Sequence, residues 1–168
     1  KYPAIESRAN STKKDVIKKW EGLGYYQRAR NMQHSVKTIL NDNLTTLPND
    51  REYLLSLKGI GQNTAHAVLS FAYHEPYAVM EANVKRVLCR LHGISEPKLP
   101  DLWDMAADLL YKKDSFSHNQ AMMDIGAMLC TPKNPKCEAC PLQKSCKGKL
   151  NPEQYPIKIK KKTVPTKQ

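Results

Sequence analysis

At 168 residues, 40% of them hydrophobic, the chain is long enough to bury a real core as one domain or two small ones. Its 27 Lys and Arg against 16 Asp and Glu give a formal charge of +11, which favours a polyanionic partner, nucleic acid ahead of membrane. No stretch supplies the long apolar run of a transmembrane helix, and no signal-peptide pattern follows the opening Lys1.

In chain order, Thr12 and Asp15 form a capping box ahead of an apolar face of Val16, Ile17 and Trp20. Gly22 and Gly24 then break the helix and leave Tyr25 and Tyr26 on a loop, followed by Arg28 and Arg30. Aromatics beside arginines on a loop can wedge into a base stack or grip phosphates; packing against a neighbouring helix is the everyday role, expected for one of the two tyrosines. A helix over residues 29–40 puts Met32, Val36, Ile39 and Leu40 on one face. Asn49, with Glu52 three residues on, caps the next helix, which runs to Leu57.

The stretch Leu57-Lys58-Gly59-Ile60-Gly61 leads into a helix on which Ala65, Val68, Leu69 and Ala72 recur at helical spacing. Two glycines permit a turn that side chains would block, so that successive N–H groups point outward at the positive end of a helix dipole, a cradle for a phosphate oxygen. An ordinary helical corner has the same pattern. His74 to Pro76 closes that helix, and His66 and His74 have no metal-ligand company. Glu81 and Asn83 then open a basic helix over residues 83–91, carrying Lys85, Arg86 and Arg90 beside Val84, Val87, Leu88 and Leu91, with Cys89 as a buried core thiol. Pro97 and Pro100 mark a linker, residues 103–110 a short amphipathic helix, and Ser117 with Gln120 a second capping box. It starts a helix whose apolar set is Ala121, Met122, Ile125, Met128 and Leu129, a core stripe rather than a cofactor box. Nothing alternates as a strand pair, and the expected class is all-α.

Cys130, Cys137, Cys140 and Cys146 are spaced C-x6-C-x2-C-x5-C. Disulfides, structural zinc and an iron–sulfur cluster compete. An odd fifth cysteine in a helical, lysine-rich chain points away from disulfides, towards an intracellular protein. Zinc ordinarily pairs two short knuckles, and only one is present. A compact loop offering four thiolates suits a [4Fe–4S] cube, with Lys133, Lys136, Lys144 and Lys147 offsetting thiolate charge.

Residues 20–30, 57–88 and 118–146 together resemble the MutY family of adenine DNA glycosylases, within the helix-hairpin-helix superfamily that includes endonuclease III. The run from Asn119 to Cys130, followed by that cysteine spacing, is the most specific part of the likeness. The resemblance implies a helix-hairpin-helix glycosylase fold, a six-helix barrel domain plus a [4Fe–4S] cluster domain with DNA in the cleft between them. On this chain that places a partial barrel over residues 1–96 (the hairpin motif at about 52–73), the cluster domain over 97–150 and a basic linker over 151–168. It implies a monomeric, monofunctional DNA glycosylase of the cytoplasm or nucleoid that excises adenine mispaired with 8-oxoguanine or guanine in duplex DNA.

By the same likeness Gly59, Gly61 and Gln62 bind a DNA phosphate, Tyr25 intercalates, and Arg28 and Lys85 face the DNA. Glu81, Asn83 and Asn63 fall at catalytic positions, and the four cysteines ligate the cluster. Three departures stand out. Glu81 replaces the family's aspartate, and an extra methylene displaces the carboxylate on a scale that can cost about 10²-fold in rate. Asn63 stands where the lyase-type enzymes carry lysine, so no Schiff-base nucleophile is evident. Lys58 replaces the usual proline before the hairpin, adding a cation. The family's general-acid glutamate is expected upstream of Lys1, and a lesion-recognising domain beyond the basic tail. An alternative is an iron–sulfur module that binds mismatched or damaged duplex without cutting it.

Overall fold

Helices and tight turns account for all regular structure among the described residues, 4–157, of the computed structural model, and no strand forms there. The lysine-rich tail from residue 158 onward lies outside the described residues. No described helix is long and apolar enough to cross a membrane. The chain divides into two compact units between Glu75 and Pro76.

The first unit contains α1 (Ile5–Ala9), α2 (Lys13–Lys19), α3 (Tyr26–Asn41), α4 (Arg51–Ser56) and α5 (Gln62–Tyr73). Helix α1 is too short to show a period, and the sequence pattern does not announce it. Thr12 caps α2 as expected, its hydroxyl accepting from the Asp15 amide. Helix α3 begins three residues before the expected start, at Tyr26. The cap of α4 is Asp50, not Asn49: its carboxylate accepts from the amides of Glu52 and Tyr53, and a carboxylate one residue closer outcompetes the amide. Ala29, Ile39, Leu54, Leu57, Ala65 and Leu69 are buried, so α1 and α2 pack on α3 while α4 packs on α5.

The second unit contains α6 (Ala82–His92), α7 (Leu99–Leu109) and α8 (Ser115–Asp124), then a π-helical turn, Ile125–Leu129. Pro100 lies in the first turn of α7 rather than in a linker, a position where its missing N–H costs no hydrogen bond. Asp114, not Ser117, caps α8, its carboxylate accepting from the Ser117 amide, so this helix also starts earlier than its sequence signal. Val84, Val87, Leu88 and Cys89 of α6 pack with Leu102 and Ala106 of α7 and Met122 of α8. Cys89 is fully buried, and burial pushes its thiol up. Beyond the π turn, the cysteine segment consists of single 3₁₀ turns, Cys137–Ala139 and Gln143–Ser145.

Candidate functional sites

In the first unit, the turn between α4 and α5 needs only one of its two glycines. Gly59 has φ +86°, and a Cβ there would sit 2.7 Å from Cβ of Asn31 on α3. Gly61 is different: its φ is −95° and nothing lies within 4 Å of an added Cβ. It serves as the N-cap of α5 and, having no side chain, contributes no side-chain cap of its own. Gln62 and Asn63 occupy the first positions of α5, both half-buried. The Ser35 hydroxyl donates to the Lys58 carbonyl at 3.1 Å and seats the turn on α3.

The tyrosine loop is held in a left-handed conformation by Gly22 (φ +84°), Gly24 (φ +66°) and Tyr25 itself (φ +47°). The Trp20 indole N–H donates to the Gly24 carbonyl at 2.8 Å and pins the loop from below. Tyr25 is consequently thrust outward, 82% exposed, while Tyr26 is half as exposed as the first residue of α3. Arg28 is exposed one turn further on.

In the second unit, Glu81 is the N-cap of α6, with Oε1 accepting from the Val84 amide at 3.1 Å. The carboxylate is thus folded back onto its own helix. Asn83 Oδ1 accepts from Nη2 of Arg86 at 2.8 Å, and the same nitrogen donates to the Gly126 carbonyl at 2.6 Å. Nε of Arg86 donates to the Cys130 carbonyl at 2.7 Å. Burial draws the Arg86 guanidinium below its ordinary pKa, and the charges at Cys130 and Glu81 pull it back. Gly126, in the π turn, is required for this approach: a Cβ would stand 2.6 Å from Cβ of Asn83 and 3.0 Å from its backbone carbon. Lys85 is half-buried on α6.

Asn119 shapes the approach to Glu81. Its buried amide accepts from the Val79 N–H and donates to the Tyr77 carbonyl, both at 2.9 Å, and so ties the segment leading to Glu81 onto α8.

Cys130, Cys137, Cys140 and Cys146 are free, half-buried thiols around one cavity, lined also by Arg90, Pro135 and Gly148. Arg90 is 4% exposed: Nη1 meets the Cys130 sulfur at 3.3 Å and the Thr131 carbonyl at 2.7 Å, while Nε donates to the Pro152 carbonyl at 2.9 Å. The Gly148 amide donates to the Arg90 carbonyl at 2.8 Å, so the cysteine segment is stitched back to α6. Burial pushes the Cys137 and Cys146 thiols up, and the neighbouring thiols push the same way. Four thiolates so close need a cationic centre to stay ionised. Four free thiols lining one cavity beside a buried guanidinium are a donor set that suits an iron–sulfur cluster.

The sequence pattern puts Arg86 and Arg90 on a basic helix and Asn119 and Gly126 in the most specific run of the likeness, but gives none of the four a role. The only local signal is the spacing of two arginines four apart on one helix.

Residues 1–109 match the HhH-GPD superfamily of base excision DNA repair proteins, and residues 130–146 the iron–sulfur binding domain of endonuclease III. The cofactor that goes with the latter is a [4Fe–4S] cluster. The chain is 40% identical over 171 residues to the adenine DNA glycosylase of Buchnera aphidicola subsp. Schizaphis graminum, covering 98% of this chain and 49% of that protein. It is 34% identical over 160 residues to the adenine DNA glycosylase of Homo sapiens, covering 92% and 29%. The chain thus spans about half the length of the bacterial relatives it matches. Among solved structures, a thermostable thymine-DNA glycosylase superposes with a TM-score of 0.83 at 29% identity, covering 89% of this chain and 71% of that one. Endonuclease III in a non-covalent DNA complex gives 0.78 at 25% identity, with the same coverage.

Proposed function

The chain belongs to the HhH-GPD superfamily of base excision DNA repair proteins, and from that membership we propose that it carries the adenine-excising machinery of a monofunctional DNA glycosylase. The substrate is duplex DNA containing adenine opposite 8-oxoguanine or guanine, bound by a monomer in the compartment that holds the DNA. The observation that supports this most is the head of α6, where Glu81 and Asn83 sit within one turn and Arg86 holds the Asn83 amide.

A base inside a duplex cannot be reached, so adenine is turned out of the stack before its glycosidic bond breaks. Tyr25, on its pinned loop, fills the space left in the stack. The amides at the start of α5, at the positive end of that helix behind Gly61, take a phosphate oxygen of the backbone. As the bond to adenine lengthens, positive charge grows on the sugar, and the Glu81 carboxylate stabilises it electrostatically. Water then bonds to the sugar carbon and loses a proton, the departing adenine takes one up, and the net reaction is hydrolysis of the glycosidic bond. Asn83 orients by hydrogen bonding at the same centre, its carbonyl oxygen fixed by Arg86 and its NH2 thereby aimed away from that guanidinium. Asn63 leaves no amine for a Schiff base, so the reaction stops at base release. Cys130, Cys137, Cys140 and Cys146 would hold the [4Fe–4S] cluster, which when bound supplies a covalent cross-link of the segment and a redox-active centre.

Single-turnover adenine release from a duplex with adenine opposite 8-oxoguanine tests this reading. Glu81→Gln is expected to abolish release while leaving duplex affinity within a few-fold. Equal loss of binding and release would reject the assignment of Glu81. The other reading, a mismatch binder that does not cut, draws on the Glu81 carboxylate being folded onto the Val84 amide. It predicts duplex binding with no release by the unaltered protein.

A further inference from the structure

Five lysines and an arginine of the first unit gather where no catalytic role uses them. Two adjoining hollows along α2 and α3 share Lys13 and Arg30. Together they are lined by Lys13, Lys14, Lys18, Arg30, Lys37 and Lys58, with Glu21 the single acidic side chain among the lining residues. All six cations are exposed. The floor is polar: the Gln27 side-chain amide donates from Nε2 to Oδ1 of Asn31 at 2.8 Å, and Asn31 is the residue against which Gly59 packs. Lys58 lies in the turn itself, its carbonyl fastened to Ser35 of α3. The hollow therefore runs without a break from the α4–α5 turn, across α3, to the first turn of α2.

Cations crowded this way repel one another, and a groove lined by one sign of charge focuses its field on an incoming polyanion. Lysine ammonium groups on flexible stems suit phosphate oxygens as point charges and read no base sequence. We infer that this groove is a second phosphate track for duplex DNA, continuing from the α4–α5 turn along α3 to α2. It rests on the DNA-repair reading above and adds to it a sequence-independent contact surface. Lys58 is the joint: it places a cation between the amides that begin α5 and the lysines beyond.

The test is fluorescence-anisotropy binding of the whole chain to an undamaged duplex between about 50 and about 200 mM salt, where phosphate contacts set the slope of log affinity against log salt. The variant Lys13→Gln/Lys37→Gln/Lys58→Gln is compared with Lys98→Gln/Lys112→Gln/Lys113→Gln, which removes equal charge from exposed sites of the second unit. Because every substituted lysine is exposed, the fold is expected to survive, and helical circular dichroism checks that it does. The groove variant should show a slope shallower by about 2 to 3 and at least about tenfold weaker binding at the low-salt end, the difference from the unaltered protein shrinking as salt rises. The control should keep the original slope. A groove variant with the original slope, or a control that loses as much, overturns the track and leaves the DNA-repair reading standing. No duplex binding by the unaltered chain overturns both. A groove variant that holds DNA normally but loses affinity for poly-glutamate would assign the surface to an acidic protein segment instead, and the track again fails.

Discussion

Asn83 and Cys130 are held by one guanidinium: Nη2 of Arg86 donates to the Asn83 amide oxygen at 2.8 Å while its Nε donates to the Cys130 carbonyl at 2.7 Å. The residue at the head of α6 and the first cysteine of the metal segment are 47 positions apart, yet a single planar group fixes the distance between them. Lysine cannot make the same pair of contacts, because a point-like ammonium lacks the fork.

Arg86→Lys should therefore lower single-turnover adenine release by about 10²-fold, the scale associated with a misplaced catalytic group, while duplex affinity stays within a few-fold. The same variant should lose its cluster faster in air, read as bleaching of visible absorbance. Unchanged release with a labile cluster would confine Arg86 to the metal segment.

Glu81→Asp restores the shorter side chain without removing the cap, since aspartate is among the best N-cap residues. If the carboxylate acts on the sugar, the shorter arm should change the release rate by about tenfold or more with little effect on thermal stability. A change in stability matched by no change in rate would make the carboxylate a cap only.

The two turn glycines should behave differently when replaced by alanine. Gly59→Ala meets both a left-handed φ and the side chain of Asn31, and should cost about 1 to 3 kcal/mol in denaturant unfolding. Gly61→Ala has an ordinary φ and open space, so it should cost under about 1 kcal/mol, that of a poorer N-cap. Equal losses at both positions would contradict this backbone geometry.

His118 is half-buried beside Val79, Leu88 and Met122, and burial lowers its imidazole pKa from the ordinary 6.5. A depressed folded pKa means that the unfolded chain binds the proton more readily. The contribution to stability is thus whole above about pH 6.5 and is lost as pH falls through 6.5 towards the folded value. The imidazole C–H resonance should titrate with a midpoint below 6.5, and His118→Gln should flatten the acid side of the stability profile between those two values. A midpoint at or above 6.5 would show the ring to be solvated.

Anaerobic purification should give a yellow-brown protein with about four irons per chain, and Cys137→Ser should lose most of that iron. One zinc and no visible colour would exclude the cluster.

Local pattern was enough for some of this protein. The apolar period of α6, those of α3 and α5 apart from the exposed Met32 and Ala72, the Thr12 cap, the left-handed turn at Gly59 and the cysteine spacing each depend on residues a few positions apart, and each is legible in the chain as written. The caps of α4 and α8 differ from the sequence signals because Asp50 and Asp114, not Asn49 and Ser117, present a carboxylate to the first-turn amides, a choice that only the backbone geometry makes. The likeness of long stretches to one repair family carried the expectation of fold and cofactor further than the periods alone do. What only tertiary structure decided is which distant groups meet. Arg86 reaches Cys130 across 44 positions, Asn119 reaches Val79 across 40, and Gly126 makes room for Asn83 across a helix contact. The lysine groove joins α2, α3 and Lys58, which no period links. A side chain's polar atoms must find partners wherever packing has buried them, and that requirement is settled by the arrangement of whole helices rather than by neighbours along the chain.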